Sequence, residues 1–162
     1  MGFQTSVNND LPLAIAGDFA SSNPRAAYAA LEGSFVAGSG GVTVARFAWI
    51  QTDGITVKNA PQAGTPKPDG FIHREQQALI TAYLADSGNL VPAGFPVTLM
   101  RTGDYFALSA TAAVKGNKVF ASLTDGSITY GAAGATIGGY VETDFVVIVA
   151  ASSNTLAVIS LT

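Results

Sequence analysis

His73 is the only histidine of the 162-residue chain, and there is no cysteine. Together these facts exclude an imidazole metal cluster, thiolate zinc sites, thiol catalysis and disulfides. Any general base would have to be His73 alone. It stands beside Arg74 and Glu75 in a charged stretch that reads as a solvated face. The carboxylates Asp18, Asp53, Asp69, Asp104, Asp125 and Asp144 mostly flank glycines or close apolar runs. Asp-Gly at 53, 69 and 125 and Gly-Asp at 103–104 read as turn formers. No spacing among them favours the paired acid and base of sugar hydrolysis. GSGG (38–41) lacks the third glycine of a dinucleotide loop, and no Gly-x-Ser-x-Gly elbow occurs. GAAGATIGG (131–139) reads as a flexible loop or a place of close backbone approach. Trp49 could stack on a ligand, but beside Phe47 on a strand it reads as core or interface. Neither a catalytic role nor a cofactor is expected.

The elements that would position these residues are short strands. VTVARFAWI (42–50) has strand composition, with Val42, Val44, Arg46 and Ala48 on one face and Thr43, Ala45, Phe47 and Trp49 on the other. Thr-Asp-Gly then turns the chain into ITVK (55–58), because Asp-Gly between strand-like runs is a strong hairpin signal. NAPQAGTPKPDG (59–70) is a loop. FIHREQQALITAYLAD (71–86) is ambiguous, and its second half is read as a strand. FPVTLM, DYFALSA, KVFASL, SITYG, a strand around 139–143, FVVIVAA and TLAVISL follow between residues 95 and 161. Such spacing belongs to an all-β fold, a small barrel or sandwich of short antiparallel strands. FAWIQTDGITV (47–57) and FASLTDGSITY (120–130) echo each other, a match too short to establish a repeat.

Charged residues make up 12% of the chain, about half the usual ~25%, while apolar residues reach 48%. Such an under-charged surface needs cover, either from other subunits or from a membrane. The longest apolar run, FVVIVAA (145–151), is far short of the ~20 residues of a spanning helix, so subunit cover is the better account. MGFQTS fits the loose myristoylation pattern, and no secretory leader is evident. A net charge of −3 with eight scattered basic residues argues against nucleic acid as a partner.

GDFASSNPRAAYAALEG (17–33) fits none of this texture. Neither a period of two nor one of 3.6 runs through it, and Asn23-Pro24 marks a turn. The same GDFASSNPRAAY, followed by GSGGVTVARFAWI, FIHREQQALITAYL, FPVTLMRTGDYFAL, KVFASLTDGSITYG and GYVETDFVVI, resembles the structural cement, or decoration, proteins of tailed bacteriophages. The resemblance runs over most of the chain in matching order. It implies a virion protein on the exterior of the head, assembled in the host cytoplasm, that binds the lattice of major capsid protein and reinforces it. It also implies self-association, expected to be a homotrimer, and supplies no catalytic residues. Composition alone equally allows a tail or baseplate β-protein, or a carbohydrate-binding module.

On this reading residues 1–33 form an extended N-terminal arm and residues 34–162 the β-barrel or sandwich domain. Ala and Ser let two backbones approach closely, and Pro24 keeps the segment out of helix. Phe19 and Tyr28 are expected to anchor in partner pockets, with Asn23 and Pro24 shaping the turn between them. Asp18 and Arg25 would pair with the partner or with each other. The alternative, that the segment packs on its own domain, stays open.

Overall fold

The computed structural model describes residues 14–30, 33–64, 67–75, 83 and 88–161. Among them no helix occurs. The first strands are β1 (Ala26–Ala27), β2 (Phe35–Ala37), β3 (Val42–Thr43), β4 (Phe47–Ile50), β5 (Thr56–Lys58) and β6 (Gly70–Ile72). They are followed by β7 (Leu90–Val91), β8 (Pro96–Val97), β9 (Leu99–Leu108), β10 (Lys118–Ser122), β11 (Ile128–Gly131), β12 (Tyr140–Val149) and β13 (Leu156–Leu161). The main sheet runs β11-β10-β12-β13-β9-β6-β4-β5-β2-β8, with β1 added on β9, while β3 and β7 pair separately. Its two ends, β11 and β8, do not meet, so the expected all-β class is realised as a sandwich-like fold rather than a barrel. Pairing is antiparallel except between β2 and β5, which run parallel.

Strand alternation accounts for two cores instead of one. On β4, Phe47 and Trp49 point into an aromatic core shared with Phe71, Tyr105 and Phe145, while Ala48 points into a second, aliphatic core with Val57, Ile72 and Leu99. Successive side chains of a strand leave on opposite faces, so β4 and β6 are apolar throughout because both their faces are buried. Phe47 meets Phe71 and Phe145 edge-on, with ring centres 5.6 and 5.4 Å apart. Such edge-to-face pairs add about 0.5–1.5 kcal/mol beyond the area they bury.

Both Asp-Gly hairpins form. β4 pairs with β5 and β10 with β11 around them. Only Gly54 and Gly126 take positive φ there; each aspartate keeps negative φ and uses its carboxylate instead. Asp53 Oδ1 accepts from the backbone N–H groups of Ile55 (3.0 Å) and Thr56 (2.8 Å), and Asp125 Oδ1 accepts from Ser127. The two echoing hairpins also touch. The second turn docks on the first strand through Phe47 N–H to Gly126 carbonyl (2.9 Å), and a Cβ on Gly126 would overlap the Phe47 carbonyl oxygen.

Several boundaries differ from the sequence expectation. VTVARFAWI is broken into β3 and β4 at Ala45, a non-glycine residue at φ +61° whose N–H is held by the Ile72 carbonyl. The face assignment survives the break: Val42, Val44 and Ala48 lie in the aliphatic core, and Ala45, Phe47 and Trp49 in the aromatic one. Leu99 onward joins DYFALSA into one ten-residue strand, and GYVET joins FVVIV likewise. Of the ambiguous stretch, Phe71 and Ile72 belong to β6, Tyr83 is exposed, and the strand expected in its second half lies outside the described residues.

Candidate partner-binding surface

The candidate residues fall on an extended stretch laid along β9 of its own chain. Gly17, at φ +95°, donates to the Phe106 carbonyl (2.7 Å) and accepts from Arg74 N–H (2.8 Å). Phe106 N–H donates to the Asp18 carbonyl (3.0 Å), Ala20 N–H to the Asp104 carbonyl (2.9 Å), and Tyr28 N–H to the Leu99 carbonyl (2.9 Å). β1 pairs with Thr102 and Met100. Residues 17–28 thus run along β9, bonded to it at 17–20 and again at 26–28, with the chain bulging at 21–25. A stretch without period can do this because its backbone, not a side-chain pattern, makes the contact.

Phe19 is held internally. Its ring stacks on His73 at 4.5 Å, carries the Arg25 guanidinium on it at 3.8 Å, and tilts against Tyr105 at 5.6 Å. Phe19 is therefore an anchor, but in this structure its pocket belongs to its own chain. His73 is not the solvated side chain expected from its charged neighbours. Its side chain is 10% exposed, and Nε2 lies 2.8 Å from Glu75 Oε1. Arg25 sits on Phe19 and not on Asp18, whose carboxylate accepts from Ile15 N–H at 3.0 Å. The two residues make no ion pair with each other.

Asn23 and Ser21 fix the bulge. Asn23 Nδ2 donates to Asp104 Oδ2 at 2.7 Å, and Ser21 Oγ donates to the same oxygen at 2.6 Å. Asp104, expected to form a turn, instead lies inside β9 and is only 4% exposed. Burial pushes its carboxyl upward, but hydrogen bonds from Ser160, Ser21 and Asn23 outweigh that and hold it below its ordinary value. β9 accommodates the bend at Gly103 (φ +130°), where a Cβ would come within 2.7 Å of the Tyr105 hydroxyl.

What the stretch shows to solvent is the run from Ser22 to Ala27, including Asn23, Pro24 and Arg25. Tyr28 is half-buried and lines an open groove of about 530 Å³ with Lys67, Asp69, Arg101, Asp144 and Phe145. Arg101 lies over its ring at 5.7 Å, and Lys67 pairs with Asp144 at 2.7 Å. The six candidates therefore divide into four groups. Phe19 and Arg25 stack together, Asn23 and Pro24 shape the bulge over Asp104, and Tyr28 stands apart in the groove. Asp18 closes the turn that begins at Ile15. Asp104, His73 and the groove lay outside the sequence-based choice. Among the described residues no group of three or more His, Asp or Glu side chains could hold a metal.

No curated protein matches this chain. A solved structure does match it: a chain from the capsid of Myoviridae phage XM1, 18% identical, covering 99% of this chain and 97% of its own length at a TM-score of 0.67. At that identity the likeness speaks for the fold. The model of the family described as XM1 gp53 minor capsid protein matches residues 3–161, from ahead of the Phe19 stretch to the last residue of β13. With nearly its whole length accounted for by that model, the chain belongs to the XM1 gp53 minor capsid protein family, and is a capsid-associated structural protein of a bacteriophage.

Proposed function

We propose that this chain binds the outer surface of the assembled phage head as a cement protein and reinforces the lattice of major capsid protein. In this reading it acts as a homo-oligomer, a trimer, on the exterior of the virion, joins the head in the host cytoplasm, and catalyses nothing. The N-terminal stretch up to residue 33 is its attachment device, presented by the domain of residues 34–162. The observation that carries this reading is the exposed bulge and edge strand at Ser22–Ala27. β1 is a two-residue strand with both alanines exposed, and such a small edge lets another backbone approach closely. Pro24 and Arg25 beside it supply a rigid turn and a cation. Family membership and the low charge content support a protein designed to be covered.

Co-sedimentation with undecorated heads tests it. Ala26→Glu and Pro24→Gly change exposed side chains and should leave the melting temperature within a few degrees while weakening head binding at least about tenfold, or about 1.4 kcal/mol. Full binding by the double variant would remove this stretch as the attachment device. Absence of head binding by the unmodified chain, with binding to an immobilised glycan instead, would place it among carbohydrate-binding modules.

A further inference from the structure

β1 is a sheet edge with a groove at its end. Among the described residues its one strand partner is β9, so the other side of Ala26–Ala27 carries no strand. Both alanines are exposed, and only methyl groups stand between this edge and a second backbone. One residue further on, Tyr28 lines the open groove of about 530 Å³ together with Arg101, Lys67, Asp69 and Asp144. Sites that take up a ligand group span roughly 300–1,000 Å³, so the groove is large enough for one. Its charges are not equally free. Asp144 pairs with Lys67 at 2.7 Å, and Asp69 Oδ2 accepts from Ile50 N–H at 2.7 Å. Arg101 is exposed, and its guanidinium lies over the Tyr28 ring at 5.7 Å. Among the described residues it has no carboxylate partner. The lysine and both acids of the groove are thus committed, while its arginine is held by an aromatic face alone. A guanidinium so placed matches a carboxylate, which it can bind through two parallel hydrogen bonds. Phe145 and Leu161 line the same groove and supply apolar surface for the methylenes beside that charge.

We infer that β1 and this groove form one recognition site for an extended, acidic segment of a protein partner. The segment's backbone adds to the free side of β1, and its Asp or Glu side chain reaches Arg101. Main-chain bonds along a sheet edge give affinity for any extended chain, so the groove is what selects. The sign of the selection follows from Arg101: a basic side chain would be repelled by it, and the two nearby acids are already engaged. The carboxylate comes from a protein segment and not from a free acid, because the chain is a capsid-associated structural protein. The inference rests on the proposed attachment through Ser22–Ala27 and names the chemistry of what that stretch grips.

Co-sedimentation with undecorated heads and a peptide titration test it separately. Arg101→Glu should weaken head binding at least about tenfold with an unchanged melting temperature, and Arg101→Lys should recover part of the loss. Head binding by the unmodified chain should weaken as salt rises, because exposed charges are screened, and Arg101→Gln should flatten that dependence. If Arg101→Glu misfolds, Arg101→Gln takes its place in the binding assay. In a nuclear magnetic resonance titration of the full chain, the blocked peptide acetyl-Gly-Ala-Glu-Ala-Gly-amide should shift the signals of Ala27, Tyr28 and Arg101. The same peptide with Gln for Glu, and sodium acetate alone, should not. Heads bound equally by the unmodified chain and the folded Arg101 variants overturn the inference, as does a glutamine peptide as effective as the acidic one. Acetate acting as strongly as the peptide would make the groove a site for free carboxylates and overturn it too, and so would no shift with any of the three. A chain that binds the acidic peptide but no heads would uphold the site and count against head attachment alone.

Discussion

Asn23 and Asp104 lie 81 residues apart in sequence and are joined by a 2.7 Å hydrogen bond that ties the N-terminal bulge to the middle of β9. Ser21 binds the same carboxylate oxygen, so one buried acid holds the turn from two sides. Hydrogen bonds to a charged acceptor are worth about 1.5–3 kcal/mol each, more than those between neutral groups.

Asp104→Asn should therefore destabilise the fold by about 2 kcal/mol, because the amide oxygen can still accept from Ser21 and Asn23 but without the charge that strengthens both bonds. The pH dependence follows from the direction of the shift. The folded carboxyl titrates below its ordinary value of 3.8. Its contribution is then present above about pH 4 and is lost as pH falls through the folded value. Thermal melts of the unmodified protein and the variant should differ most at neutral pH and converge in acid. A constant difference down to pH 2 would show that the charge of Asp104 is not what holds the bulge.

Phe19→Ala removes a ring that touches His73, Arg25 and Tyr105. Full burial of phenylalanine is worth about 3–5 kcal/mol on truncation, and Phe19 is half-buried, so about 2 kcal/mol is expected. For a chain of this length that is a fall of roughly 4–8 °C in Tm. Phe19→Leu should recover part of it by refilling the aromatic core. An unchanged melt for the alanine variant would mean that the stretch is not seated on β9 in solution.

Gly126→Ala and Gly116→Ala separate backbone conformation from space. Both glycines have positive φ, but a Cβ on Gly116 meets nothing within 4 Å while one on Gly126 would overlap the Phe47 carbonyl. The first should cost about 1 kcal/mol, the conformational term alone. The second should cost considerably more, since β4 or the turn must move. Equal melting temperatures for the two variants would contradict the docking of the second hairpin on β4.

Local features of the fold were legible in the sequence wherever they rest on neighbouring residues. Thr-Asp-Gly at 52–54 and 124–126 forms turns because the aspartate caps the next N–H groups and the glycine takes positive φ. The face pattern of residues 42–49 is legible for the same reason. The break at Ala45 is not, because no glycine marks it. It is imposed from afar, by the Ile72 carbonyl on its N–H and by Asn59, whose side chain binds Thr43 and Phe47. The places of Asp104 and His73 are not legible for the same reason. Gly103-Asp104 looks like a turn and His73-Arg74-Glu75 like a solvated face, until Ser21, Asn23 and Phe19 come to lie on them. The aliphatic runs of β12 and β13 are plain in the sequence as runs. Only register shows that half of each points outward.

A chain beginning at Gly33 tests how separable the N-terminal stretch is from the rest. Sequence composition places a boundary near that residue, yet residues 17–28 supply backbone partners to Leu99, Asp104 and Phe106 and a ring against the aromatic core. Removing them would leave the Leu99, Asp104 and Phe106 groups of β9 without these partners and strip the cover from Tyr105 and Asp104. Each hydrogen bond lost is worth about 0.5–1.5 kcal/mol, more for those to the charged Asp104, and exposing the aromatic core adds to that, so a loss of several kcal/mol is expected. Since a domain is stable by only about 5–15 kcal/mol, the truncated chain should melt at least about 10 °C lower or fail to fold. Head binding by such a protein would be uninformative if it is unfolded, so the melt is the deciding measurement. A truncated chain that melts with the full protein would make residues 1–32 a true appendage, and the contacts along β9 dispensable to the domain.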